Sequence, residues 1–170
     1  FISYLPEGAE VMDLGCGSGR DSLYLIEKGF DVTPVDGSRE LCELASIHIG
    51  QDVLLMKFSE LDFDEVFDGI WACASLLHTT PDEFDEIFVK VIKCLKPGGV
   101  LYMSFQYGEF AGFRNGRYYQ DFTTKKMKDV ISKYPELTIL EIWKSSDVRS
   151  DREDVIWLNV LVKKNDEEQV

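Results

Sequence analysis

The tightest constraint on this chain is the segment Val11-Met12-Asp13-Leu14-Gly15-Cys16-Gly17-Ser18-Gly19-Arg20. Residues 9–14 form a mostly apolar run of strand length, and residues 20–28 carry an amphipathic, helical pattern. Between them three glycines alternate with single residues. Glycine lets the backbone reverse sharply and leaves no Cβ between that backbone and a ligand. A strand, a glycine turn and a helix make the first βα unit of a doubly wound sheet, where nucleotide-like ligands bind. The spacing is not the dinucleotide fingerprint, because Arg20 stands where that pattern needs its third glycine. Nor is it a phosphate loop, since no Gly-Lys-Ser/Thr follows. A purely structural turn is the competing reading at this point.

The rest of the chain alternates strand and helix patterns, as a parallel sheet requires. Residues 1–5 read as the end of a helix stopped by Pro6 and Gly8, and Gly29 reads as the stop of the helix over 21–28. A second strand over 31–35 contains Pro34, which predicts a bend or irregularity. Ser38 is an N-cap for a helix to about residue 49, although Leu41 stands where a capping box wants Glu or Gln. Strands follow over 53–56 and 67–73. A helix opens at Pro81 and runs to 95 before Lys96-Pro97-Gly98-Gly99 breaks it, and a strand spans 100–105. Residues 108–121 read as a loop, and Thr123 caps a helix to about 134. Two successive strands, 137–143 and 155–163, imply an antiparallel hairpin closing the sheet. The expected fold is therefore α/β: a Rossmann-like, doubly wound, seven-stranded and mostly parallel sheet with an antiparallel strand near one edge and helices on both faces. One domain over 1–170 is expected, with residues 165–170 a frayed tail and an amino-terminal segment trimmed before Phe1.

Charge narrows the partners. The net charge is −13, and an acidic domain repels polyanions, which argues against nucleic acid. No apolar run reaches membrane-spanning length. Cys16, Cys42, Cys73 and Cys94 show no metal-ligand spacing, so no metal is expected, and unpaired thiols fit a cytoplasmic protein.

The glycine turn, with Asp13, Gly15, Gly17 and Gly19, resembles motif I of the class I S-adenosylmethionine-dependent methyltransferases. Three other stretches are similar to motifs of that family: Val35-Asp36-Gly37-Ser38 ending the second strand, Leu76-Leu77-His78 after the fourth, and Lys96-Pro97-Gly98-Gly99. The loop and helix start Gly17-Ser18-Gly19-Arg20-Asp21-Ser22-Leu23-Tyr24-Leu25 is very similar to that of small bacterial members of the tellurite-resistance type. The resemblance implies binding of S-adenosylmethionine, with S-adenosylhomocysteine as product. It assigns Asp13, Gly15, Cys16, Gly17, Gly19, Arg20, Asp36, Gly37, Ser38, Phe58, Ser59, Ala74 and Leu77 to the cosubstrate. Asp36 takes the ribose, since one carboxylate accepts from two hydroxyls at once. The family often places an Asp after the third strand to hold adenine, whereas Lys57 stands here, leaving Phe58, Ser59 or Glu60 for that task.

Methyl transfer needs alignment above all, and a base only where the acceptor must lose a proton. His78 is the candidate general base, with a purely loop-orienting role as the alternative. The Asn/Asp-Pro-Pro-Tyr and Pro-Cys motifs of base-modifying enzymes are missing from the sequence, which points to a small-molecule acceptor. Arg114, Arg117, Tyr118 and Tyr119 are expected to bind it, in a segment folded over the pocket mouth. A surface turn at Asn115-Gly116 is the competing reading of that segment. The rival functions are a non-catalytic S-adenosylmethionine-binding module, a methyltransferase of macromolecules, and a dinucleotide-dependent oxidoreductase. A monomer or weak homodimer is expected.

Overall fold

The computed structural model describes residues 1–167. Nine strands and four α-helices run in the order β1 (Glu10–Leu14), α1 (Arg20–Glu27), β2 (Asp31–Asp36), α2 (Arg39–Ile49), β3 (Leu54–Leu55), β4 (Phe67–Ala72), α3 (Pro81–Cys94), β5 (Leu95–Gln106), β6 (Ala111–Arg114), β7 (Arg117–Gln120), α4 (Thr124–Ile131), β8 (Leu137–Ser146) and β9 (Ile156–Lys164). Seven strands form one sheet in the order β3-β2-β1-β4-β5-β9-β8. The pairs from β3 to β5 are parallel, and β9 runs antiparallel between β5 and the edge strand β8. The expected fold class is the observed one.

Strand alternation decides what each face covers. Met12, Leu14, Ile70, Ala72, Leu101 and Met103 point to one face, under Phe88 and Val91 of α3 and Met127 of α4. Val11 and Val32 point to the other, under Leu25 of α1. The strand order reverses between β1 and β4, where the chain turns away in opposite directions at the carboxyl ends and leaves a crevice.

Several local expectations are corrected. Pro34 causes no irregularity, and Asp13 pairs opposite it in register. Its missing N–H faces the β3 side, where β3 has not yet begun and where the Gln51 side-chain amide donates to the Val32 carbonyl. The helix stops at Cys94, ahead of Lys96 as expected, but the strand begins at Leu95 and not at Val100, with Lys96–Gly99 bulging within β5 between the pairs Phe67↔Leu95 and Gly69↔Val100. The bulge is fixed by Lys96 Nζ, which donates to Glu10 and Asp68. Residues 1–5 hold only a 3-10 turn, Ile2–Tyr4, packed through Phe1 and Leu5 on Gly69. The expected tail is tied down at its start, since Asn165 bonds Pro135, Glu136 and Thr138, and residues 168–170 lie outside the described ones. Residues 108–121 are not a loop: β6 and β7 form an antiparallel hairpin with positive φ at both Asn115 and Gly116, the two-residue turn that matches strand twist.

Candidate functional site

The glycine turn leaves β1 at the sheet reversal, and its three glycines serve three purposes. At Gly15 (φ 76°) an added Cβ would lie 2.5 Å from Ser75 Cβ, so this position is a close approach of two turns. At Gly19 it would meet Ile49 at 3.0 Å and Ala45 at 3.2 Å, so Gly19 lets α1 pack on α2 and does not reach the crevice. At Gly17 (φ 57°) it would meet nothing within 4 Å. Gly17 is the open one.

Asp36 ends β2 and is 9% exposed. Its Oδ2 accepts from Gly17 N–H and its Oδ1 from Ser38 N–H, both at 2.9 Å. One carboxylate thus ties the glycine turn to the start of α2, where Ser38 Oγ caps Leu41 N–H as expected. On the far side of β1, Asp13 is 3% exposed and accepts a 2.6 Å hydrogen bond from Ser22 Oγ of α1. Burial pushes its pKa up to about 7, against the pull of the Ser22 hydroxyl. Burial likewise pushes the Cys16 thiol up to about 12, so this cysteine is no nucleophile at neutral pH.

The Asp36 side of the glycine turn borders a cavity of ≈ 450 Å³. Its walls include Gly15, Gly17, Asp36, Gly37 and Ser38 on one side, Phe58 at one end, and Ala74, His78 and Arg117 across. Leu41, Met56, Lys57 and Ser75 line it too, and sequence reasoning did not single them out for this wall. Leu41 was legible in principle, because a first-turn residue three beyond a strand-end cap faces back over the strand. Phe58 packs against the core and lines the cavity at once, so the two readings of its sequence position are not exclusive.

Other expected residues fall elsewhere. Leu77, 1% exposed, is part of the main core and does not reach the cavity. Ser59 is on the outside of the cavity wall, where its carbonyl takes the Lys90 ammonium. Glu60 turns back to cap Lys57 N–H at 2.7 Å. Asp13, Cys16 and Arg20 border a neighbouring space of ≈ 240 Å³ on the other side of the glycine turn.

His78 lies in a 3-10 turn after β4, and its Nδ1 is 2.9 Å from the Tyr118 carbonyl. A carbonyl oxygen only accepts, so Nδ1 carries the proton and Nε2 keeps the lone pair. Burial holds this imidazole below its ordinary range. Tyr119 packs edge-on against the ring at 4.8 Å. Of the four hairpin residues expected at an acceptor, only Arg117 lines the cavity. Arg114 is consumed internally: it grips buried Asp121 through two hydrogen bonds, 2.8 and 2.6 Å, reaches Gln106, and stacks over Phe110. Tyr118 packs on Phe113 at the hairpin surface.

Among the described residues no cluster of three metal-binding side chains occurs, the four cysteines are free, and no helix is long and apolar enough to cross a membrane.

This geometry matches a known family. A family profile described as "Methyltransferase domain" covers residues 11–99, and the chain belongs to that family; its fold is that of the class I, S-adenosylmethionine-dependent methyltransferases. YqeM of Bacillus subtilis (strain 168), named as a methyltransferase, is 36% identical over 104 residues, 57% of this chain and 42% of that protein. The ubiquinone biosynthesis O-methyltransferase of Xanthomonas axonopodis pv. citri is 32% identical over 106 residues, 58% of this chain and 44% of its own length. The matched stretch therefore spans less than half of each curated relative. Among solved structures, the 1,6-didemethyltoxoflavin-N1-methyltransferase of Burkholderia thailandensis, with bound 1,6-didemethyltoxoflavin and S-adenosylhomocysteine, superposes with TM-score 0.81 and 25% identity over 97% of this chain and 75% of that one. A Methanosarcina mazei S-adenosylmethionine-dependent methyltransferase reaches TM-score 0.85 at 23% identity, over 97% and 96% of the two chains, and supports the fold. The methyl donor of this class is S-adenosylmethionine.

Proposed function

We propose that the chain transfers the methyl group of S-adenosylmethionine to a small-molecule acceptor. The observation that carries this reading is Asp36. Each of its oxygens holds one backbone N–H, which leaves a lone pair on each for the vicinal hydroxyls of a ribose. The cavity beside it fits a nucleoside: Gly17 presents bare backbone, and Met56 and Phe58 supply apolar walls at one end. When bound, the cosubstrate supplies a methyl carbon whose bond to sulfur breaks with its electron pair as the acceptor's lone pair forms the new bond.

The protein's share is to hold and to shield. Gly15 and Gly17 let the backbone approach, Asp36, Gly37 and Ser38 fix the ribose end, and Ala74 borders the reacting centre. His78 and Arg117 roof the cavity under the β6–β7 hairpin, which excludes water. With Asp21 and Arg20 on the far side of the glycine turn, the amino-acid part of the cosubstrate finds both signs of charge. A second reading adds a proton-accepting role for His78, favoured by its free Nε2. A pH–rate profile that loses its acidic limb in His78→Gln supports that role, and an unchanged profile removes it.

The toxoflavin-type acceptor of the Burkholderia structure and the ubiquinone precursor implied by the Xanthomonas name are both small molecules, which supports the acceptor class. The net charge of −13 supports the same choice over nucleic acid, and free cysteines fit a cytoplasmic setting. The test is formation of S-adenosylhomocysteine that depends on adding a metabolite extract of low molecular mass. Binding of S-adenosylmethionine without turnover across such extracts would instead favour a non-catalytic module.

A further inference from the structure

Three cavities meet at the carboxyl ends of β1 and β4, and Ala74 lines all three. The first contains Asp36 and Phe58. The second, ≈ 240 Å³, is walled by Asp13, Cys16, Arg20 and Asp21. The third, ≈ 380 Å³, opens over β5 and the β8–β9 turn, between Tyr102, Ser104, Asp147, Arg149, Trp157 and Asn159. A sulfonium also has three substituents: here an adenosyl group, an amino-acid chain and the methyl. We propose that the third cavity is the acceptor subsite and that it takes an uncharged aromatic or heteroaromatic molecule.

The placement rests on the cosubstrate reading above. With the nucleoside at Asp36 and the zwitterionic chain among Asp13, Arg20 and Asp21, the sulfur falls at the residues those two cavities share, Gly15, Gly17 and Ala74. The remaining direction from that point leads past Ala74 into the third cavity. Ala74 has φ 49°, an uncommon conformation for a residue with a side chain, and its N–H is held by Ser104 Oγ at 2.8 Å. The junction is therefore fixed by a bond to the third cavity's own wall.

That wall is fixed by hydrogen bonds between buried side chains. Asn159 is 6% exposed on the otherwise apolar core of β9. Its Oδ1 accepts from the Tyr102 hydroxyl at 2.6 Å, and its Nδ2 donates to Ser145 Oγ at 2.9 Å. Asp147, its side chain 4% exposed, accepts from the Arg149 guanidinium and backbone and from the Trp157 indole at 3.0 Å. Two aromatic side chains, Tyr102 and Trp157, are thereby locked as walls, and ring systems are the ligands such walls take. The charges inside cancel: Arg149 is engaged by Asp147, and Arg20 belongs to the seam with the amino-acid cavity. The Ser146 hydroxyl, and the O–H of Ser145 whose oxygen already accepts from Asn159, face the cavity for polar contacts with a neutral acceptor.

The test uses uncharged naphthol and anionic naphthoate as probes, titrated into the ¹⁵N-labelled protein saturated with S-adenosylhomocysteine. Naphthol is expected to move the Trp157 indole N–H resonance more than that of Trp71, which stacks behind Tyr102 and does not line the cavity. Ser146→Trp, which fills the cavity from an exposed position, is expected to abolish the shift while keeping wild-type affinity for S-adenosylhomocysteine. The wild-type indole shift needs no variant, so a poorly folding variant leaves the proposal testable. No Trp157 shift, a Trp71 shift as large as that of Trp157, tighter binding of naphthoate than of naphthol, or persistence of the shift in a folded Ser146→Trp each overturns it. Failure of the wild type to bind S-adenosylhomocysteine sinks the cosubstrate reading instead, and naphthol titrated alone then still reports on the cavity.

Discussion

The two halves of the crevice are made in different ways. The half between Asp13 and Asp36 comes mainly from one βαβ unit of adjacent segments, tied by Asp36 bridging two backbone N–H groups, with Gly15 pressed against the turn after β4. The half under the hairpin and over β5 is assembled from segments far apart in the chain, and its geometry depends on side-chain pairs such as Arg114–Asp121, Asp147–Trp157 and Tyr102–Asn159. The first half tolerates few residue types at each position because the constraint is steric and conformational. The second can change its lining by exchanging side chains on a hairpin or a turn without moving the sheet.

Substitutions can break this contrast. The largest expected effect is the pH dependence set by Asp13. Its folded-state pKa of about 7 is above the ordinary carboxyl value of 3.8, so the stability it contributes is complete below about 3.8 and lost as the pH rises through 7. At 1.36 kcal/mol per pKa unit the swing has an upper bound of about 4 kcal/mol. Urea unfolding should show Asp13→Asn gaining on the wild type between pH 5 and pH 8. A difference that is the same at both pH values contradicts the burial argument.

Next come the glycines. Gly15→Ala combines a strained φ with a clash on Ser75 Cβ and should cost about 1–3 kcal/mol or more of stability. Gly17→Ala meets no atom, so it should cost less while weakening S-adenosylhomocysteine binding. Thermal melts and titrations of both variants separate the two. Equal destabilisation would show that the turn has one role only.

Arg114→Ala belongs to the other half. It strips buried Asp121 of its partner and loosens the hairpin, and with Arg114 about a third exposed the loss should be about 1–2 kcal/mol. Hydrogen exchange should rise across residues 111–120 and stay unchanged at β1 and β2. Exchange spreading to the glycine turn would mean that the halves are coupled.

The same contrast explains what was legible beforehand. Asp36, Gly15 and Gly17 stand in local patterns, so the mostly parallel sheet and this wall of the cavity could be read from short segments. The hairpin could not: its Asn115-Gly116 turn was visible, but β6 and β7 are short and pack on the rest of the protein through Arg114 and His78. For the same reason Arg114 looked like a free cation, since its partner Asp121 is recognisable only once the strands pair. Leu77 was misplaced because a 3-10 turn sends neighbouring side chains in opposite directions, one to the core and one to the crevice. The third cavity gave one signal that could have been used, the lone Asn159 in the apolar run Leu158-Asn159-Val160-Leu161-Val162.

The central claim is that Asp36 receives the ribose of the cosubstrate. Isothermal titration of S-adenosylhomocysteine into the wild type and Asp36→Ala tests it, with circular dichroism confirming that the variant keeps its fold. Loss of the carboxylate should weaken binding by about 1.5–3 kcal/mol, roughly ten- to a hundredfold. Wild-type affinity in a folded Asp36→Ala variant would contradict the account.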